Sequence, residues 1–390
     1  MNRFYFFLSF ALVSCSSHAN PVDTKHHINT LPTLHSIDAF TLPVHIPSKQ
    51  HILIHADSGQ ILSANHDTVK APPASLTKLM TLLLTFERLQ AKKLHLDMSV
   101  YISTQASQAK GATSTMLANT NFPLRKLLEA IAVASGNDAS VALAEHLAGS
   151  EAAFATLMNA KAKTLGMTRT HFVNASGLPH PNHYSSARDI AILARHIYRY
   201  HPEYMYLFST KTFSHKKFTQ NNRNKLLWTN PDVFGMKTGH TESAGFCMAV
   251  IAKKNNHTLI AVTFGSDTEP KRFLSAQNLI NLFENGFEHK IIHTQRPLPV
   301  VNVRDGTDYH TELSLAHSLT ISAPTGSKLK SRITLKNHLQ APFAKNTEAG
   351  HFHIAFTNQT VASIPIVTSH AMEKGGFFQN SISWLRSKWK

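Results

Sequence analysis

Cysteine is nearly missing: Cys15 and Cys247 are the two in 390 residues, and they cannot build a disulfide framework. No Cys/His spacing resembles a zinc site either, so no metal and no other cofactor is expected, and the fold must stand on packing. Charge is thin, with 16% Asp, Glu, Lys and Arg where soluble domains average about 25%. Hydrophobic residues reach 42%, which excludes disorder as the main state. No apolar run attains the roughly 18 to 20 residues that span a bilayer, which excludes a polytopic membrane protein. Basic residues are scattered without a block, and neither a zinc-finger nor an RNA-recognition pattern is present, so nucleic acid is not an expected partner.

What is there is positive. Lys and Arg number 39 against 23 Asp and Glu, a formal charge of +16, and 26 histidines outnumber the carboxylates. Positive charge therefore climbs as pH falls through the histidine range. An anionic membrane surface or cell wall suits such a chain. The N-terminus points outward: Arg3 and an apolar stretch from Phe4 to Val13 form an export signal over residues 1–19. Two cleavage readings stay open, Ser17-His18-Ala19 and a lipobox Leu12-Val13-Ser14-Cys15 in which Cys15 would be acylated. Residues 20–44, rich in His, Pro, Thr and Ser, read as a lead-in.

Ordered structure is expected from residue 45. Ile52-Leu53-Ile54 and Ile61-Leu62 flank Asp57-Ser58-Gly59 as two strands and a tight turn. From Ser75, apolar residues recur at helical spacing through Phe86. Further helices are predicted over Leu124–Ala134, Ala139–Ala148, Ala152–Leu165, Ser186–Tyr198 and Arg272–Phe283, with strands at Ala249–Ala252 and Leu259–Phe264. Strands outside and helices between give an α/β or α+β domain over 45–290. After Pro297 the texture turns to short β segments, a small all-β domain over 296–370. Past Gly375-Gly376, Phe378, Ile382, Leu385 and Trp389 make one narrow apolar stripe beside Arg386, Lys388 and Lys390. This is the pattern of an interfacial helix over 375–390; a terminal helix docked on the body is the plainer alternative.

Three short motifs carry chemistry. Ser75-Leu76-Thr77-Lys78 opens a helix, Ser135-Gly136-Asn137 lies between two helical runs, and Lys237-Thr238-Gly239 stands at a strand. Each alone is weak, but their order and context agree with the serine acyl-transferase set. One turn apart on a helix, the Lys78 amine can reach the Ser75 hydroxyl and, when neutral, take its proton. A second ammonium, Lys237, at about 4 Å would raise the energy of protonated Lys78 by roughly 4 kcal/mol at an effective dielectric near 20. Ser135 would relay a proton and the Asn137 amide would hold the substrate backbone. The N–H groups of Ser75 and His240 would receive the oxyanion, with Gly239 leaving room for the substrate.

On these residues, and on His183-Tyr184-Ser185-Ser186-Ala187-Arg188-Asp189 and Ala244-Gly245-Phe246, the chain resembles the low-molecular-mass penicillin-binding proteins that are D-alanyl-D-alanine carboxypeptidases. The resemblance implies an α+β, β-lactamase/transpeptidase-like catalytic domain with an antiparallel sheet, followed by a small all-β domain and a C-terminal amphipathic helix. It implies that Ser75, with Lys78 as base and Ser135 as relay, is acylated by the terminal D-Ala-D-Ala of a peptidoglycan stem peptide, and by β-lactams as covalent inhibitors. Arg272 then falls where the family binds the terminal carboxylate, beside Thr238, and Arg223 where it carries an arginine near the site. Ser176 stands where relatives often have histidine. A serine β-lactamase shares the motifs, but Gly166 to Arg188 contains no Asp or Glu to activate a deacylating water. A DD-endopeptidase would use the same groups, and a wall-binding scaffold with a vestigial site is the non-catalytic alternative. The expected location is the outer, periplasmic face of the cytoplasmic membrane.

Overall fold

The computed structural model describes residues 44–294, 298–356 and 359–376. The expected export signal with Cys15, the lead-in before residue 44 and the amphipathic helix beyond Gly376 lie outside the described residues.

Strands β1 (Gln50–His55) and β2 (Ile61–Asn65) form the expected antiparallel hairpin, with Gly59 at φ 74° in its turn. A short 3-10 turn, Ala74–Thr77, runs directly into α1 (Lys78–Gln90). There follow β3 (Ser99–Ile102), α2 (Thr104–Ser107), β4 (Thr120–Pro123), α3 (Leu124–Glu129), α4 (Asn137–Ala148), α5 (Glu151–Thr164), α6 (Ala187–Tyr200) and α7 (Tyr206–Ser209). The hairpin β5 (Thr212–His215) and β6 (Phe218–Asn221) and the turn α8 (Leu226–Thr229) lead to β7 (Val233–Thr241), β8 (Gly245–Lys254), β9 (His257–Ser266) and α9 (Glu269–Gly286).

The main sheet has the order β2-β1-β9-β8-β7 with every neighbour antiparallel, so the first hairpin is zipped against a strand some two hundred residues later, Ile52 facing Val262. This is the expected α+β architecture. On one face α9 packs Ala276, Leu279, Ile280 and Phe283 against Leu53, Val250 and Leu259. Helix α6 packs on β1 and β9. Helix starts follow side-chain caps: Ser150, Ser186 and Thr268 accept the N–H of Ala153, Asp189 and Lys271. Helix α1 is buried nearly all round, as a central helix must be.

The helix predicted over Leu124–Ala134 is two pieces. After α3 the backbone widens to a π turn over Ala130–Ala134 and stops at Ser135, which is left-handed with φ 61°. π turns and non-glycine residues at positive φ concentrate where a side chain must be aimed. A second core, including Ile321, Phe352, Ile354, Ile364 and Ile366, fills a β region whose largest sheet joins Leu313–Leu315, Leu329–Leu335, Glu348–Phe356 and Gln359–Thr368. The strand Phe287–Ile292 already pairs with Leu319–Pro324, so the chain enters this region at the end of α9, ahead of residue 296. Buried Gln60 bonds the Ser322 N–H and carbonyl across the junction. No helix of the described residues is long and apolar enough to cross a membrane.

Candidate active site

The 3-10 turn, the end of the π turn and the middle of β7 meet at one cleft of about 770 Å³. Ser75, half-buried, lines it; Lys78 lies beneath, fully buried. The Lys78 Nζ is 2.9 Å from Ser75 Oγ, 2.7 Å from Asn137 Oδ1 and 2.7 Å from the Ser176 carbonyl. A neutral amine has two hydrogens and one lone pair. The Asn137 and Ser176 oxygens can only accept, so they take the two hydrogens and leave the lone pair facing the Ser75 hydroxyl.

The cause of that neutrality corrects the sequence-based expectation. Burial pushes the Lys78 amine down to about 7, the Arg223 charge adds to it, and Asp138 and Glu151 pull the other way. Lys237 repels Lys78 as the sequence suggested, but burial comes first for both amines. It too is buried, and burial first, then Lys78, drives it well below its ordinary value. Two amines sealed away from water beneath one cleft are each penalised for carrying charge, and they repel one another besides.

Ser135 is buried, with Oγ 3.0 Å from Lys237 Nζ; Lys237 also donates to the Thr238 carbonyl at 3.0 Å. Its left-handed backbone turns this hydroxyl back toward β7. Gly136 gives room beside it: a Cβ there would lie 2.1 Å from Ser114 Oγ and 2.7 Å from Asp138 Oδ1. Asn137 does more than the sequence suggested. While its Oδ1 holds Lys78, its Nδ2 donates to the Lys110 carbonyl at 2.6 Å, leaving one N–H for a ligand. Asp138 accepts from the N–H groups of Ser114, Met116 and Ala139, and so fastens the loop before it.

Thr238, Gly239 and exposed His240 line the wall opposite, and the His240 ring stacks on Phe246 with centroids 4.0 Å apart. A Cβ on Gly239 would come 3.1 Å from the Ser75 nitrogen, so glycine lets β7 lie against the turn that bears the nucleophile. Arg272 reaches the cleft from α9, 3% exposed, with Nη2 2.9 Å from Glu269 Oε1 and a buried Nε without a partner among the described residues. Arg223 lines the cleft mouth, set between Asn222, which donates to the Thr210 carbonyl, and Asn224, which donates to the Gly235 carbonyl. All ten residues singled out in the sequence therefore converge at this cleft or directly beneath it.

Three contacts were not assigned from the sequence, although Ser176 and His183 stood in segments it singled out. The Ser176 contact to Lys78 is made by a backbone carbonyl, which explains how serine can stand where histidine was expected. Gly177, at φ 87°, packs so tightly that a Cβ would fall 1.8 Å from the Ala74 carbonyl oxygen. Behind the turn, His183 Nδ1 accepts the Val173 N–H, so its Nε2–H donates to Thr77 Oγ1 at 2.8 Å and braces the residue between Ser75 and Lys78.

Known proteins resemble both the catalytic and the β region. Residues 38–268 match the D-alanyl-D-alanine carboxypeptidase family, and residues 288–374 match the C-terminal domain of penicillin-binding protein 5. The chain is 33% identical to the D-alanyl-D-alanine carboxypeptidase DacF of Bacillus subtilis, over 85% of this chain and 87% of that one. Penicillin-binding protein 5 from Haemophilus influenzae superposes with a TM-score of 0.78 at 33% identity, covering 85% of this chain and 99% of the other. Penicillin-binding protein D2 from Listeria monocytogenes, solved in an ampicillin-bound form, gives a TM-score of 0.54 at 28% identity over 61% of this chain and 98% of its own.

Proposed function

The chain belongs to the D-alanyl-D-alanine carboxypeptidase family and is a serine-type DD-carboxypeptidase of the cell wall, and we propose that it removes the terminal D-alanine of stem pentapeptides through an acyl-enzyme on Ser75. The observation that carries this reading is the Lys78 amine 2.9 Å from Ser75 Oγ, with its two hydrogens bound elsewhere. Lys78 takes the hydroxyl proton as Ser75 attacks the carbonyl of the penultimate residue. The backbone N–H groups of Ser75 and His240 receive the oxyanion. Ser135, bonded to Lys237, returns a proton to the departing nitrogen. Arg272 and Thr238 hold the terminal carboxylate, a charge-assisted pair worth roughly 1.5–3 kcal/mol that selects a chain end. The unpaired Arg272 Nε supports this assignment. Asn137 steadies both Lys78 and the substrate backbone, and Arg223 contributes charge at the mouth.

β-Lactams offer the same reactive carbonyl and a carboxylate, so they acylate Ser75 and leave slowly. Among the described residues the carboxylate lining the cleft is Glu269, which already pairs with Arg272 and Lys225 and is a poor candidate for activating water. We place the protein on the outer face of the cytoplasmic membrane, exported by residues 1–19, with residues 375–390 as a peripheral anchor and acylation of Cys15 as an alternative anchor. Intact-mass measurement after benzylpenicillin treatment tests the reading. A single adduct mapped to Ser75, persisting for many minutes and lost in Ser75→Ala, together with D-alanine release from a pentapeptide, is the expected result. Rapid turnover of penicillin would assign a β-lactamase, and no adduct a non-catalytic scaffold.

A further inference from the structure

On the side of α1 away from the cleft, Glu87 in its last full turn meets His196 of α6 and His201, the residue that caps the C-terminal end of α6. We propose that these three side chains bind a divalent transition-metal ion of the zinc class, clasping α1 to the end of α6.

Each residue offers a ligand atom, and the three atoms lie within 4.8 Å of one another. Ligands on a tetrahedral ion at 2.0–2.1 Å stand about 3.4 Å apart, so side-chain rotations of about an ångström close the site. His201 is 1% exposed, and the Nδ1 atoms of both His196 and His201 are buried with no hydrogen-bond partner among the described residues. Native proteins rarely leave such atoms unanswered; the His196 nitrogen nearest Glu87 is Nε2, so it is the buried, unpartnered Nδ1 of His201 that a bound ion would answer. Burial also pushes both rings toward the neutral form that ligates. Two imidazoles and one carboxylate suit zinc, cobalt or nickel; calcium and magnesium prefer all-oxygen sets.

Cationic occupancy is already prepared. Lys161 of α5 sets its ammonium 2.6 Å from Glu87 Oε1, while His196 Nε2 stands 3.9 Å from the same oxygen. The Lys161 side chain is 22% exposed, and Glu87 and Lys161 line a surface cleft of about 250 Å³, so the carboxylate end of the site is reached from solvent. Lys161 is thus a built-in competitor that an arriving ion can displace outward. The sequence carries no trace of this set, because Glu87 and His196 are more than a hundred residues apart and share no motif. Glu87 rides on the helix that begins with Lys78, so the ion would stiffen the element holding the catalytic amine without touching substrate.

Calorimetric titration of the chelator-treated full chain with Zn²⁺ alone tests the proposal. One equivalent should bind in the wild type, Glu87→Gln and His201→Asn should each weaken it about tenfold or more, and Lys161→Met should tighten it by removing the competitor. A purely structural trio would show neither the loss nor the gain. Retained penicillin acylation certifies that each variant is folded. Glu87→Gln or His201→Asn binding Zn²⁺ as the wild type does, or no binding in the wild type at all, would overturn it and leave an ordered water to serve the two rings.

Discussion

A lysine becomes a base only when its charged form is penalised, and the penalty on Lys78 is mainly burial, with Arg223 second. Because the amine sits near 7, the second-order rate of penicillin acylation should fall tenfold for each pH unit below about 7, where Lys78 is increasingly protonated. Lys78→Arg should abolish acylation, since a guanidinium does not deprotonate. Removing the second contributor separates the two causes: in Arg223→Ala a positive charge is gone, the ammonium is less disfavoured, and the midpoint should move to higher pH. An unmoved midpoint would leave burial as the whole cause. The identities of Ser75, Lys78, Ser135, Asn137 and Lys237 were legible in the sequence because their chemistry requires particular side chains at fixed spacings. The leading origin of the Lys78 shift was not, because burial is a property of everything packed around a residue, and spacing alone showed the second lysine but neither the burial nor Arg223. The Ser176 carbonyl was illegible for a similar reason: any residue can supply a carbonyl.

Elements were legible where periodicity ran unbroken and less so where the site bends them. The helices after Ser150 and Ser186 begin at side-chain caps close to their expected starts, whereas the Thr268 cap opens α9 three residues ahead of the expected Arg272. The π turn before Ser135 continues the apolar pattern of Leu124–Ala134 and is invisible in it, since widening the helix leaves the residue types unchanged. The loop at Gly177 is the sharper case. Gly149 and Gly177 both hold positive φ, 78° and 87°, yet a Cβ on Gly149 meets nothing within 4 Å while one on Gly177 would strike the backbone of the turn carrying Ser75. Gly149→Ala should therefore cost only the conformational strain, about 1 kcal/mol, with acylation intact. Gly177→Ala should cost more and slow acylation at least tenfold by displacing Ser75 or the Ser176 carbonyl. Melting temperatures and acylation rates of the pair decide it; equal acylation in both would mean that the loop gives way without moving the turn.

Across the whole molecule, histidine outnumbers every acid, and several of these rings are buried where they resist protonation. Burial leads in lowering His51 to about 4, His55 to about 3 and His183 to about 4. Their unfolded counterparts titrate near 6.5. Above that pH both states are neutral and the rings contribute no pH dependence. Below it the unfolded chain binds protons that the folded chain refuses, so stability falls as pH falls, until the folded rings titrate, His51 and His183 at about 4 and His55 at about 3. Each such histidine contributes about 1.4 kcal/mol per pH unit inside that window, and the three together ~4 kcal/mol per unit. His55 sits at the junction of the two cores, 3.2 Å from His257, whose ring lies 4.3 Å from that of His289, itself bonded to Ser322. Acid should accordingly loosen the β region along with the catalytic sheet rather than after it. Unfolding free energies measured in urea between pH 7.5 and 4.5 should decline steeply below 6.5, and His55→Asn should flatten the decline by about 1.4 kcal/mol per unit. Because the slope is read, the cost of the substitution itself drops out. A wild-type curve that stays level from pH 7 to 5.5 would mean that these rings are protonated in the folded protein, and that burial has not kept them neutral.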